Sequence, residues 1–165
     1  MQKDLRGTHL SQEAFDKNEV STTLGDPHAH YEWDTGMGIG RFLQGLKEGK
    51  IWGTHCDQCK RTVTPPRVFC ELCFSKNITW QELKTTGTVN TFSLCYVNWD
   101  ATMIKEPHIP AVIEVDGTTP RVGFLHILDE VDPKKVHIGM KVEAVFKNEK
   151  ERMGDITDIK YWRPV

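Results

Sequence analysis

Four cysteines in one short stretch carry the most specific chemistry in this sequence. Between His55 and Cys73 (HCDQCKRTVTPPRVFCELC) stand two Cys-x-x-Cys pairs, Cys56 with Cys59 and Cys70 with Cys73. Each pair suits a tight turn, or knuckle, on which two sulfurs and nearby backbone N–H groups converge. The residues between the pairs suit a short hairpin that lays the second knuckle on the first. Four thiolates so arranged make a tetrahedral zinc site. Two disulfides or four unrelated buried thiols are the rival reading, but the paired spacing recurs and nothing in the sequence marks it for export. A redox Cys-x-x-Cys normally opens a helix behind a strand, whereas Pro65 and Pro66 make this connection rigid and extended. With protein sulfur at all four positions no site is left for water, so the zinc expected here is structural, one per chain.

The other groups able to do chemistry are sparse. Cys95 is flanked by apolar residues in a segment that reads as strand, with no evident helix N-terminus or basic partner to lower its pKa, and is expected to be a small buried residue. His55, His126 and His137 are each capable of acid–base work, but one adjoins a knuckle and two fall in strands, where structural or surface roles are expected. No catalytic residue is therefore expected in this chain. Around the knuckles Lys47, Lys50, Lys60, Arg61 and Arg67 outnumber Glu48, Asp57 and Glu71. Two readings compete for this mild basic patch: a surface that meets phosphates of a ligand or partner, and compensation for the negative charge of a zinc tetrathiolate.

These residues need a scaffold, and 165 residues suffice for one or two small domains. With 21 Lys and Arg against 23 Asp and Glu the net charge is −2, which offers a polyanion no general attraction. No apolar run approaches the length of a membrane span and Met1 to Val20 lacks the apolar core of a signal peptide, so a cytoplasmic protein without membrane contacts is expected. A reducing cytoplasm also suits zinc thiolates. Residues 1–37 read as a polar arm broken by Gly7, Gly25, Pro27 and Gly36. A helical turn can form behind Ser11 around Ala14 and Phe15, and Tyr31 and Trp33 are left on an exposed linker. Such an arm either stays disordered or docks on a partner. His28 and His30 alternate without further ligands and read as solvated loop residues.

From Ile39 the pattern turns helical, with Ile39, Phe42, Leu43 and Leu46 on one stripe and Gly49 as the stop. Ile51 to Thr54 leads as a strand into the first knuckle, giving a unit whose small core the metal completes. Beyond Trp80 the period is two. Strands are expected over Thr88 to Trp99, Pro110 to Asp116, Val122 to Leu128, Val136 to Phe146 with a bulge at Gly139, and Ile156 to Trp162. Asp116-Gly117 marks a hairpin. Five short strands with Gly-marked turns fit a Greek-key barrel of OB type better than a sandwich, which needs about seven.

Several of these motifs together resemble a known family. They are Gly45-Leu46-Lys47-Glu48-Gly49-Lys50, the two Cys-x-x-Cys pairs flanking Pro65-Pro66-Arg67, Gly87-Thr88-Val89, Pro110-Ala111-Val112-Ile113-Glu114-Val115 and Ile138-Gly139-Met140-Lys141-Val142. From about Ile39 to Val165 the chain is similar to small proteins that join a rubredoxin-like zinc ribbon to a C-terminal OB fold. The resemblance implies a mostly β chain with an N-terminal helix, organised as an arm (1–37), helix plus zinc ribbon (38–80) and five-stranded OB barrel (81–165). It also implies an accessory subunit of an acyl-CoA enzyme, partnered in a hetero-oligomer by a thiolase-like catalytic subunit that carries the nucleophile. The zinc positions carry over to Cys56, Cys59, Cys70 and Cys73. The CoA thioester would be shared substrate of the complex, with Lys60, Arg61 and Arg67 as candidates for its phosphates. A single-stranded nucleic-acid module is the alternative use of an OB barrel. Glu114, Asp116, Asp129, Glu130 and Asp132 make that half acidic and argue against it.

Overall fold

A computed structural model of the chain describes residues 11–20, 25, 30, 32–76 and 78–165. It divides into two units, Met1–Trp33 and Asp34–Val165. In the first, α1 (Gln12–Asp16) is the turn expected behind Ser11, whose hydroxyl accepts the Ala14 N–H at 3.2 Å, and none of its residues is buried. His30 is exposed, while His28 and Tyr31 lie outside the described residues.

The second unit opens with α2 (Gly36–Glu48), which starts one turn before its apolar stripe because the Asp34 carboxylate accepts the Gly36 N–H at 2.8 Å. Phe42 and Leu46 point inward, and Ile39 stays partly outside. Gly49 ends the helix in the left-handed region at φ +77°. The Lys50 N–H reaches the Gly45 carbonyl and the Gly49 N–H that of Leu46, a double closure that satisfies two terminal carbonyls. Three antiparallel strands follow in the order β2-β1-β3: β1 (Ile51–Cys56), β2 (Arg61–Val63) and β3 (Ile78–Leu83).

The remaining strands are β4 (Thr86–Phe92), β5 (Cys95–Val97), β6 (Met103–Val115), β7 (Gly123–Leu128), β8 (Lys141–Phe146) and β9 (Ile159–Pro164). Pairing runs β4–β6–β7–β9–β8 and back to β4, antiparallel throughout save for β7 with β9, which meet at Leu128 and Trp162. This is the closed five-stranded OB barrel, preceded by a zinc ribbon, and β5 hangs on β6 outside it.

Several strand boundaries differ from the periodic reading. Thr88 to Trp99 is two strands, because the register shifts between Val89 and Thr91 and pairing lapses at Ser93 and Leu94. Tyr96 and Val97 consequently leave the barrel wall and stand exposed. β6 starts seven residues before Pro110 to accept β5. Gly139, at φ +90°, is part of a turn and not a bulge. Its N–H donates to the Val89 carbonyl while the Val89 N–H donates to Met140, so the chain is bent there and β8 begins only at Lys141. Ile156–Asp158 is a 3₁₀ turn, because Asp155 and Asp158 cap it reciprocally.

One apolar core runs through this unit. Phe42 and Leu46 of α2 and Ile51 of β1 join Val89, Ile113, Phe124, Val142, Ile159 and Trp162 of the barrel. Phe42 meets Phe124 edge to face at 5.7 Å, and Phe124 meets Trp162 at 6.1 Å. The helix and the inner end of the ribbon thus share the barrel's core and do not rely on the metal alone. No helix among the described residues is long and apolar enough to cross a membrane.

Candidate metal centre

The four cysteines expected as ligands converge at the outer end of the ribbon. Cys56 closes β1, Cys59 sits in the turn to β2, and Cys70 and Cys73 lie on the loop leading to β3. Their sulfurs all fall within 4.8 Å of one another, and Cys56 Sγ is 3.7 Å from Cys73 Sγ. Four sulfurs at about 2.3 Å from a central zinc would stand about 3.8 Å apart, so this spacing fits the ion. Four soft donors and no oxygen ligand among them also favour zinc over harder cations. When bound, the metal would cross-link the two knuckles.

Both knuckles have the same backbone. The residue after the second cysteine is left-handed in each, Lys60 at φ +54° and Phe74 at φ +57°. Its N–H donates to the carbonyl of the first cysteine, Lys60 to Cys56 at 2.8 Å and Phe74 to Cys70 at 2.9 Å. The turn also aims N–H groups at sulfur: Cys59 N–H approaches Cys56 Sγ at 3.4 Å. Donation from the Cys73 and Leu72 backbones draws the Cys70 thiol down to about 7, and donors to sulfur favour the thiolate that a metal takes. As a free thiol Cys59 is pushed up to about 12, first by its hydrogen bond with Cys73 and then by burial. Two of the sulfurs, those of Cys56 and Cys70, belong to buried residues.

The basic residues near the centre separate into different roles. Arg61 is committed to Glu71 at 2.7 Å, and the Glu71 carboxyl is held below the usual carboxylate range first by its own backbone N–H and then by Arg61, with Arg67 nearby. Arg61 and Arg67 line a polar cavity of about 250 Å³ between ribbon and barrel, and Lys60, out on the first knuckle, does not. The third arginine on that cavity is Arg121 from the β6–β7 loop. Sequence reasoning missed it, because it arrives through a long-range link: Thr62 N–H donates to Thr119 Oγ1 and Thr119 N–H to the Thr62 carbonyl, each at 2.9 Å.

The histidines are engaged locally. His55 Nδ1 pairs with Thr62 Oγ1 at 3.0 Å, and His137 Nδ1 with the Lys135 carbonyl at 2.9 Å. Burial holds the His126 pKa below that of a free imidazole, and its Nε2 lies 3.3 Å from the Ile156 carbonyl. Cys95 is half-buried and not buried as expected, since β5 lies outside the barrel. Its thiol is 3.7 Å from Ser93 Oγ, and His108 is its partner in register on β6.

Residues 43–79 match the family model described as the ChsH2 rubredoxin-like zinc ribbon domain, and residues 80–147 the one described as the ChsH2 C-terminal OB-fold domain. A protein of Methanocaldococcus jannaschii named a DUF35 domain-containing scaffold protein is 34% identical over 101 residues, covering 60% of this chain and 69% of the relative. A protein of the same name from Methanothermobacter thermautotrophicus is 31% identical over 107 residues, covering 64% and 77%. Among solved structures, a chain of an Ltp2-ChsH2(DUF35) aldolase superposes with a TM-score of 0.59 at 20% identity, covering 81% of this chain and 98% of that one. A DUF35-family protein of unknown function from Sulfolobus solfataricus gives 0.60 at 22% identity, covering 79% and 85%. At these identities the two structures speak for the fold.

Proposed function

Because the chain belongs to the DUF35 family, with its ChsH2-type zinc ribbon and OB fold, we propose that it is a non-catalytic accessory subunit of a thiolase-type acyl-CoA enzyme. The observation that carries the reading is that this fold covers nearly the whole of a chain from the Ltp2-ChsH2(DUF35) aldolase, a protein named for two components. The archaeal relatives are named as scaffold proteins, which supports a role in assembly. Cys56, Cys59, Cys70 and Cys73 hold one structural zinc in this account, and the metal does no chemistry on the substrate.

The finer reading rests on the sequence resemblance. The partner is a thiolase-like subunit that bears the nucleophile, and the polar arm together with the rest of the chain is similar to the small subunit of the benzoylsuccinyl-CoA thiolase of anaerobic toluene degradation. In that setting the CoA thioester is shared by the complex. Of the candidates for its phosphates, Arg67 is the better placed, exposed on the polar cavity, whereas Arg61 already serves Glu71. Co-expression with a thiolase-type subunit tests the assignment: a stable hetero-oligomer of fixed stoichiometry is expected. A chain that stays monomeric and binds single-stranded oligonucleotides in physiological salt would favour the nucleic-acid reading instead.

A further inference from the structure

We propose that the second knuckle, Val68 to Phe74, is the surface by which this chain seats on its catalytic partner, and that the partner receives it with an apolar pocket edged by carboxylates. The inference rests on the accessory-subunit reading and names the contact that reading leaves open.

The first knuckle serves as an internal control. The two turns share backbone geometry, and both end on a left-handed residue. The first fills its outward positions with Asp57, Gln58 and Lys60, the second with Glu71, Leu72 and Phe74. Backbone preference does not explain Phe74, because a left-handed conformation costs a bulky residue about 1–2 kcal/mol. Core packing does not explain it either, since Phe74 is 75% and Leu72 62% exposed. Val68 and Phe69 extend the patch, and the Phe69 and Phe74 rings lie stacked at 6.3 Å with 11° between their planes. A preformed aromatic pair binds without first having to be ordered, as interface anchors do.

Charge selects the occupant. Arg67 precedes the patch, Lys76 follows it, and both are exposed, while Arg61 is neutralised by Glu71. Apolar side chains with a cationic rim call for an apolar surface with an anionic rim. Stacking with nucleic-acid bases is the other use of exposed aromatics beside cations. Here much of the patch is aliphatic, since Leu72 and Val68 offer a base nothing to stack on, and a net charge of −2 gives a polyanion no general attraction.

The test is co-purification of the full chain with the thiolase-type subunit, comparing Leu72→Glu, Phe74→Glu and Phe74→Gly with wild type. Phe74→Gly removes the ring and relieves the left-handed strain, so it keeps its fold and metal even if the charged variants do not. Each variant should weaken the complex at least about thirty-fold, the scale of an interface anchor, with zinc content unchanged in Phe74→Gly. Lys76→Glu should chiefly slow association and flatten its salt dependence. If wild type assembles and all three variants assemble equally well, the knuckle assignment is overturned while the accessory role stands. Failure of wild type itself to assemble contradicts both. Oligonucleotide binding that Phe74→Glu abolishes would give the platform to nucleic acid and equally overturn it.

Discussion

Gly45 lies so near Trp52 that a Cβ built on it would sit 2.3 Å from the indole Cδ1. One turn earlier, Arg41 stacks over the same ring at 4.4 Å and over Trp80 at 4.6 Å. Trp52 and Trp80 share one face of the ribbon, since Trp52 pairs with Glu82 and Thr54 with Trp80. The absent side chain at Gly45 and the flat guanidinium of Arg41 together let α2 lie directly on β1.

Gly45→Ala separates helix propensity from packing. In an open helix alanine would stabilise by about 1 kcal/mol. Here the methyl has to displace an indole held by Arg41, and a loss of about 1–3 kcal/mol is expected. Urea unfolding measures it, and a stabilised variant would show that Trp52 swings away freely.

Asp158 is wholly buried, and its carboxylate accepts N–H bonds from Met153 at 3.0 Å, Gly154 at 2.7 Å and Asp155 at 3.1 Å. Burial pushes its pKa up, but these donors, with Lys147 at 4.0 Å, outweigh burial and leave it below the ordinary value. Since the folded pKa is the lower one, the stabilisation is complete above the unfolded value of about 4 and is lost as pH falls through the folded one. Asp158→Ala should cost about 3 kcal/mol at neutral pH by orphaning these donors. Unfolding followed between pH 7 and pH 2 should show the variant's deficit shrinking only in the most acid range.

Removal of the metal should act locally. The sulfurs lie at the outer end of the ribbon, whereas Phe42, Ile51 and Trp162 belong to the shared core. Cys70→Ser should therefore lose its zinc and open residues 57–75 to protease, because binding energy at such a site is folding energy. The barrel's buried Trp162 should keep its native fluorescence. Unchanged zinc content in this variant would sink the ligand assignment.

Much of this was legible from spacing and period. Two Cys-x-x-Cys pairs announce a convergent site because the ligand geometry is local, and Phe42 with Leu46 announce a buried stripe. What escaped is what depends on distant partners. The exception is local: Lys60 and Phe74 adopt left-handed turns with no glycine to signal them. Val136 to Phe146 reads as one strand until Val89 captures the Gly139–Met140 turn. Arg121 is brought to the ribbon by the pairing of Thr119 with Thr62, residues 57 positions apart. The exposed second knuckle carried no signal of its own, since nothing in the spacing separates an outward Leu72 or Phe74 from a buried one.

Acyl-CoA turnover by the isolated chain and by its complex with a thiolase-type subunit, each with and without Cys95→Ala, separates an accessory subunit from a catalytic one. The isolated chain should show no turnover, and the rate of the complex should change less than about two-fold on Cys95→Ala, as expected for a thiol that never meets the substrate. Turnover by the isolated chain, or a loss of about a thousand-fold in a variant complex that still assembles, would place the chemistry in this chain and contradict the account.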